Sequence, residues 1–234
     1  MNNSLVLQTL NEAIRAGAQA FCICPGSRNR PFVAALKQNP HLQSYYWFEE
    51  RSAAFFALGR SKLTRRPVAV ITTSGTAAAE LLPAAMEAYY SSIPLILITA
   101  DRPRRYRGSG APQSAEQVGL YGQYTRFSQD LANQELCDLS RWDRQGPAHL
   151  NVCFEEPLND VFEHALAAPS ELRFNQDLDA SKSDSRRQVN QFLEEVSHPF
   201  IVVGALPFRA KDSVVDFLLK LNAPVFFGRY FRTA

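Results

Sequence analysis

Long apolar runs are missing from this chain of 234 residues, and nothing in it approaches the ~20 apolar residues needed to cross a bilayer. The start, MNNSLVLQTLNEAIRAG, has no basic segment ahead of an apolar core, so no secretory leader is expected. An excess of either charge is also missing. Lys and Arg number 25 against 23 Asp and Glu, a net charge of +2, so neither nucleic acid nor a membrane surface is implied as a partner. Cysteine is sparse: Cys22, Cys24, Cys137 and Cys153 have the spacing of neither a zinc site nor a redox Cys-x-x-Cys pair. Buried free thiols in a reducing cytoplasm are the expected state. His41, His149, His164 and His198 are scattered without ligand spacing, and no Ser/His/Asp set suggests itself. The glycine loops that cradle nucleotides, Gly-x-Gly-x-x-Gly and Gly-x-x-x-x-Gly-Lys, are absent.

What is present is a 46% hydrophobic composition, ordinary for a globular protein, in a chain long enough for one large or two modest cores. Leu5, Leu7, Leu10, Ala13 and Ile14 predict a helix over 4–16, with Asn3 or Ser4 as its cap and Gly17 as its stop. Ala20–Cys24, Val68–Thr72 and Leu95–Thr99 are short continuous apolar runs, the pattern of strands buried on both faces. A further strand is expected at Ser44–Phe48 and a last one at His149–Phe154. Helices are expected near Pro31–Gln38, over Ser52–Leu63 and over Ala77–Tyr90, the last kinked or restarted at Pro83. This alternation predicts an α/β fold, a parallel sheet flanked by helices, over residues 1–168. Residues 169–187 are polar and read as a linker, and 188–234 as the beginning of a second, truncated α/β domain.

Three turns and one loop carry the candidate chemistry. Glu49 and Glu50 lie where a strand stops and a helix starts; position alone suggests a capping pair, or one carboxylate held at the sheet's carboxyl edge to meet a ligand. Cys24-Pro25-Gly26-Ser27-Arg28 reverses the chain, with Ser27 a possible cap or, with Arg28, an anion grip. Thr73-Ser74-Gly75-Thr76 is a strand-to-helix turn whose backbone can approach a ligand. Asp101-Arg102-Pro103-Arg104-Arg105-Tyr106-Arg107 is a basic loop in which Arg104 and Arg105 read as a solvated face.

The segments WFEERSAAFFALG (47–59), PVAVITTSGTAAAELLPA (67–84) and PLILITADRP (94–103) resemble the pyrimidine-binding domain of thiamine-diphosphate enzymes. Within that superfamily the likeness is to the 2-succinyl-5-enolpyruvyl-6-hydroxy-3-cyclohexene-1-carboxylate synthases, over roughly residues 1–165. The resemblance implies that Glu50 hydrogen-bonds the cofactor's aminopyrimidine and exchanges a proton with its ring nitrogen, sheltered among Phe48, Phe55 and Phe56. It places Ser74, Gly75 and Thr76 against the same ring, and Ser27, Arg28, Arg102 and Gln113 against substrate. Pro112 stands where relatives usually have Asn, which puts the finer substrate contacts in question. The implied cofactors are thiamine diphosphate and Mg²⁺, and the implied substrates are 2-oxoglutarate and isochorismate, in a homodimer or homotetramer. The Gly-Asp-Gly…Asn set that holds Mg²⁺ in such enzymes is absent, so no metal ligand is assigned here and the segment by itself is expected to be inactive. Two other readings stay open: a different thiamine-diphosphate lyase, such as an acetolactate-synthase relative, and a non-catalytic α/β binding domain.

Overall fold

A computed structural model describes residues 2–158, 166, 178–204, 211–221 and 223–227. The chain divides into two compact units, Met1–Leu172 and Arg173–Ala234. The division expected between residues 168 and 169 lies outside the described residues.

The first unit is built on six strands: β1 (Ala20–Ile23), β2 (Gln43–Tyr46), β3 (Val68–Thr72), β4 (Leu95–Asp101), β5 (Phe127–Ala132) and β6 (Ala148–Cys153). They pair in the order β2-β1-β3-β4-β6-β5, and every pairing is parallel. Every residue of β1, β3, β4 and β6 is buried, which is why the first three read as unbroken apolar runs. Successive side chains of a strand face opposite ways. Phe21 and Ile23 therefore join the core under α1 (Asn2–Arg15) and α2 (Arg30–Lys37), while Cys22 and Cys24 join the core under α3 (Glu50–Thr64) and α5 (Leu82–Tyr90). Ala53, Ala54 and Ala57 bring α3 close against the sheet. Full burial of Leu5, Leu10 and Ile14 on α1 contributes about 1.5–3 kcal/mol per side chain. All four cysteines are free and buried.

Several boundaries differ from expectation. α1 begins at Asn2, before the expected cap. The helix expected over Ala77–Tyr90 is two, α4 (Thr76–Ala79) and α5; Pro83 has no N–H to continue the ladder, and the chain restarts with it in the first turn of α5. β5 is new. Its sequence, FSQDLA, is half polar because it is an edge strand. Along that edge Glu135 accepts from the Ala132 N–H at 2.9 Å and donates its own N–H to the Ala132 carbonyl, while Arg104 donates to the Asp130 carbonyl at 2.9 Å.

In the second unit, α6 (Leu178–Glu195) takes up residues 178–187, which the polar composition suggested as linker. β7 (Ile201–Val203) and β8 (Val225–Phe227) form a parallel pair connected through α7 (Lys211–Leu221). Among the described residues no helix is long and apolar enough to cross a membrane.

Candidate functional site at the carboxyl edge of the sheet

The strand order reverses between β1 and β3: from β1 the chain goes outward to β2, then returns to the other side. Such a reversal leaves the loops at the carboxyl ends diverging, the usual ligand crevice of open α/β sheets. Here the turns after β1 and β3 do not splay apart. Gly26 lies against Thr73, where an added Cβ would fall 2.5 Å from the Thr73 Cβ, and the Arg28 N–H donates to Thr73 Oγ1 at 3.3 Å. Asn29 fixes the first turn, accepting from the Gly26 N–H and donating to the Cys24 carbonyl, both at 2.8 Å. Ser27, suggested as a cap, is exposed, and neither it nor Asn29 caps α2 with its side chain.

Beside these turns is an open cleft of about 520 Å³, lined by Glu49, Glu50, Arg51, Thr73, Ser74, Thr76, Ala77, Glu80 and Gln113. The adjacent glutamates divide their work. Glu49 is the cap of α3, its carboxylate accepting from the N–H groups of Arg51 (3.1 Å) and Ser52 (2.7 Å). Those bonds hold its carboxyl below the usual range, the Ser52 contacts foremost. Glu50, in the first helical turn, accepts nothing from any described residue and is half-buried at the cleft. The aromatic shelter expected around it is not formed by this chain: Phe48 and Phe55 are exposed, and Phe56 packs on Tyr45 and Trp47.

Opposite Glu50 the Ser74–Thr76 turn is held by Gly75, at φ 84° and ψ −140°, a conformation open essentially to glycine alone. Gln113 closes over it, its own φ at 55° and its Cα 3.3 Å from where a Gly75 Cβ would stand. The fold thus brings Glu50, Ser74, Gly75, Thr76 and Gln113 together. It does not bring Ser27, Arg28 or Arg102 to the cleft wall. Arg28 is buried, pairing with Glu156 at 2.8 Å and reaching the Phe154 carbonyl at 3.5 Å. Arg102 donates from Nε to the Pro112 carbonyl at 2.7 Å, so it latches the loop that carries Gln113. The two loop arginines expected to be merely solvated are also tied: Arg104 to Asp130 and Glu135, and Arg105 to Glu155 at 2.6 Å.

Under the cleft lies a buried polar layer. Asp101, His149, Asn151 and Cys153 extend from β4 and β6 with Thr99, while Gln117 enters from the loop above. Arg107 pairs with Asp130 at 2.7 Å and with Asp101 at 3.3 Å. Burial alone would raise Asp130, but hydrogen bonds from Arg107 and Asn151 outweigh it and hold the carboxyl down to about 2. His149 is pushed the other way by burial, from 6.5 down to about 3, so its ring is neutral beside Tyr121.

That burial gives a pH test. The unfolded chain takes up a proton at His149 near pH 6.5, whereas the folded chain refuses it until about pH 3. Stability is therefore lost progressively as pH falls between those values, by up to about 1.4 kcal/mol per pH unit. Asp130 adds to the loss only as pH falls from 3.8 towards 2. Melting temperatures measured from pH 7 to 4 should decline more gently in His149→Gln; parallel slopes in the two proteins would refute the assignment.

Residues 5–120 match the thiamine pyrophosphate enzyme N-terminal TPP-binding domain. The chain belongs to the thiamine pyrophosphate enzymes. Over 96% of its length it is 45% identical to a 2-succinyl-5-enolpyruvyl-6-hydroxy-3-cyclohexene-1-carboxylate synthase of Bdellovibrio bacteriovorus, spanning 43% of that protein. Synthases of the same name from Halobacterium salinarum and Geobacillus kaustophilus are each 46% identical over 68% and 65% of the chain, which spans 30% and 29% of their lengths. The chain thus covers less than half of these curated relatives. A solved thiamine diphosphate-dependent 4-hydroxybenzoylformate decarboxylase of Rhodococcus jostii RHA1 shares the fold, with a TM-score of 0.68 at 20% identity, over 95% of this chain and 44% of that one.

The donor set fits the aminopyrimidine half of thiamine diphosphate: one uncommitted carboxylate faces a backbone turn that a side chain would obstruct. Among the described residues, no group of three or more His, Cys, Asp or Glu is arranged to hold a metal ion.

Proposed function

We propose that this chain is the pyrimidine-binding portion of a synthase that decarboxylates 2-oxoglutarate and joins the remaining four-carbon unit to isochorismate. The observation that carries the reading is the cleft in which Glu50, left free because Glu49 takes the cap, confronts the Ser74–Thr76 turn. Thiamine diphosphate, when bound, supplies the electron sink for decarboxylation of a 2-oxo acid. Glu50 exchanges a proton with the ring nitrogen of the aminopyrimidine. Ser74, Gly75 and Thr76 orient that ring. The diphosphate and its Mg²⁺ are assigned to residues outside this chain, in a cytoplasmic homodimer or homotetramer.

Substrate carboxylates are assigned to Ser27, Arg102 and Gln113. Arg102 has one nitrogen on Pro112, while its two terminal nitrogens make no bond to a described residue. Arg28, with its guanidinium already on Glu156 and Phe154, is better placed to hold the chain than to take substrate. In the full-length protein, Arg102→Ala should raise the KM for 2-oxoglutarate or isochorismate by about tenfold to a hundredfold, as expected for one lost charge-assisted bond. Thiamine diphosphate affinity should hold. Arg28→Ala should lower the melting temperature instead. The function itself is tested by coupling of 2-oxoglutarate to isochorismate with thiamine diphosphate and Mg²⁺ present; turnover of a different 2-oxo acid alone would point to another lyase.

A further inference from the structure

We propose that Gln117, which does not touch the cleft, is a positioning residue that sets the orientation of the Ser74–Gly75 peptide for the cofactor. The proposal rests on the thiamine diphosphate reading above. Gln117 is fully buried, and its Oε1 accepts the Gly75 N–H at 2.8 Å. A trans peptide points its C=O opposite to its N–H. Drawing the Gly75 N–H inward to Gln117 therefore turns the Ser74 carbonyl away from the interior. Ser74 and Thr76, on either side, both line the cleft. The outcome is a fixed backbone acceptor suited to the N–H groups of an aminopyrimidine.

The orientation of Gln117 is itself imposed by a one-way chain of hydrogen bonds. Asp101 and Asp130 are carboxylates and accept only, so the Asn151 amide must donate to them, as it does from Nδ2 at 3.0 and 2.8 Å. That leaves Asn151 Oδ1 as acceptor for Gln117 Nε2 at 2.8 Å and for the Thr99 hydroxyl at 2.8 Å. Gln117 Nε2 also donates to the Ala100 carbonyl at 3.3 Å. With its nitrogen so committed, only the Gln117 oxygen can face Gly75. Flipping the amide would set an N–H against an N–H at one end and an oxygen against two oxygens at the other. Arg107 anchors the carboxylate end through Asp101 and Asp130. The peptide at the cleft is thus held by an ion pair on the far side of the polar layer, through two amide side chains.

The test uses the full-length protein and measures thiamine diphosphate affinity by calorimetry with Mg²⁺ present. Gln117→Met keeps the volume and loses the acceptor. It should weaken cofactor binding by about tenfold to a hundredfold, the cost of stranding one buried N–H. It should also change the near-ultraviolet circular dichroism of the bound aminopyrimidine and leave the KM for the 2-oxo acid near wild type. A lower melting temperature in Gln117→Met with unchanged cofactor affinity and dichroism would overturn the proposal, since that is what a merely structural residue gives. Hydrogen exchange in the wild-type protein without cofactor is independent of whether any variant folds: the Gly75 amide should be among the slow exchangers, and rapid exchange would show that no relay holds it. Should the wild-type protein fail to bind thiamine diphosphate, the cofactor reading falls and this proposal with it; wild-type binding with an indifferent Gln117→Met would remove only the proposal.

Discussion

Replacing Glu50 by glutamine in the full-length protein is expected to cut turnover by about 10²–10⁴-fold, the usual loss when a positioned proton-transfer group is removed. The fold should survive the change. Glu50 makes no hydrogen bond to any described residue, the substitution is nearly isosteric, and solvent reaches the open cleft. Glu49→Gln is the matched control, one residue away and on the same cleft. Its carboxylate holds two backbone N–H groups at the start of α3, so its loss should appear as a lower melting temperature and not in the rate. Turnover of Glu50→Gln within a few-fold of wild type would remove Glu50 from the chemistry. The reverse pattern, with Glu49→Gln slow and Glu50→Gln normal, would mean that the two carboxylates had been exchanged.

Gly26→Ala should be the most damaging single-methyl change in the site. The new Cβ would stand 2.5, 2.7 and 2.8 Å from Cβ, Oγ1 and Cγ2 of Thr73. None of these atoms is the end of a flexible chain, because Thr73 is β-branched, buried, and engaged by the Arg28 N–H. Relief requires the turns after β1 and β3 to separate. Overpacking of this kind costs roughly 1–3 kcal/mol, and the separation would move Ser74 and Gly75 relative to Glu50. Both the denaturation midpoint and thiamine diphosphate affinity should therefore fall together. Thr73→Gly in the Gly26→Ala background should restore a large part of the stability, because the two changes meet at one contact. Strict additivity of the two substitutions would show that the clash is not where the loss arises.

How far the sequence discloses all this depends on which contacts are local. β1, β3 and β4 were legible because a strand buried on both faces has to be apolar throughout. β5 was not, since an edge strand carries polar residues whose partners lie elsewhere in the chain. Pro83 announced a break in its helix, and the break is there. Within the site, Glu50, the Gly75 turn and Gln113 were picked out by resemblance, but the division of labour between Glu49 and Glu50 needed the helix start to be placed at Glu50. Gln117 and Asn151 escaped notice. Gln117 meets Gly75 from 42 residues away and Asn151 from 34, and no local pattern reports such distances. One signal was available for Asn151: two polar residues, His149 and Asn151, on a strand expected to be interior. A buried polar group needs a partner, so their presence there pointed to a network.

The bonds along β5 have a consequence for how the sheet meets other molecules. An unpaired strand edge is a template on which a foreign strand can be added, and it is a common route into aggregation. At Asp130 and Ala132 that template is already occupied: Arg104 takes one outward carbonyl, and Glu135 engages both backbone groups of Ala132. Arg104 and Glu135 are in turn paired with each other at 2.6 Å, so neither is released without separating opposite charges. The carboxyl half of this edge is closed to growth, and an incoming strand would have to displace an ion pair before it could form its first bond.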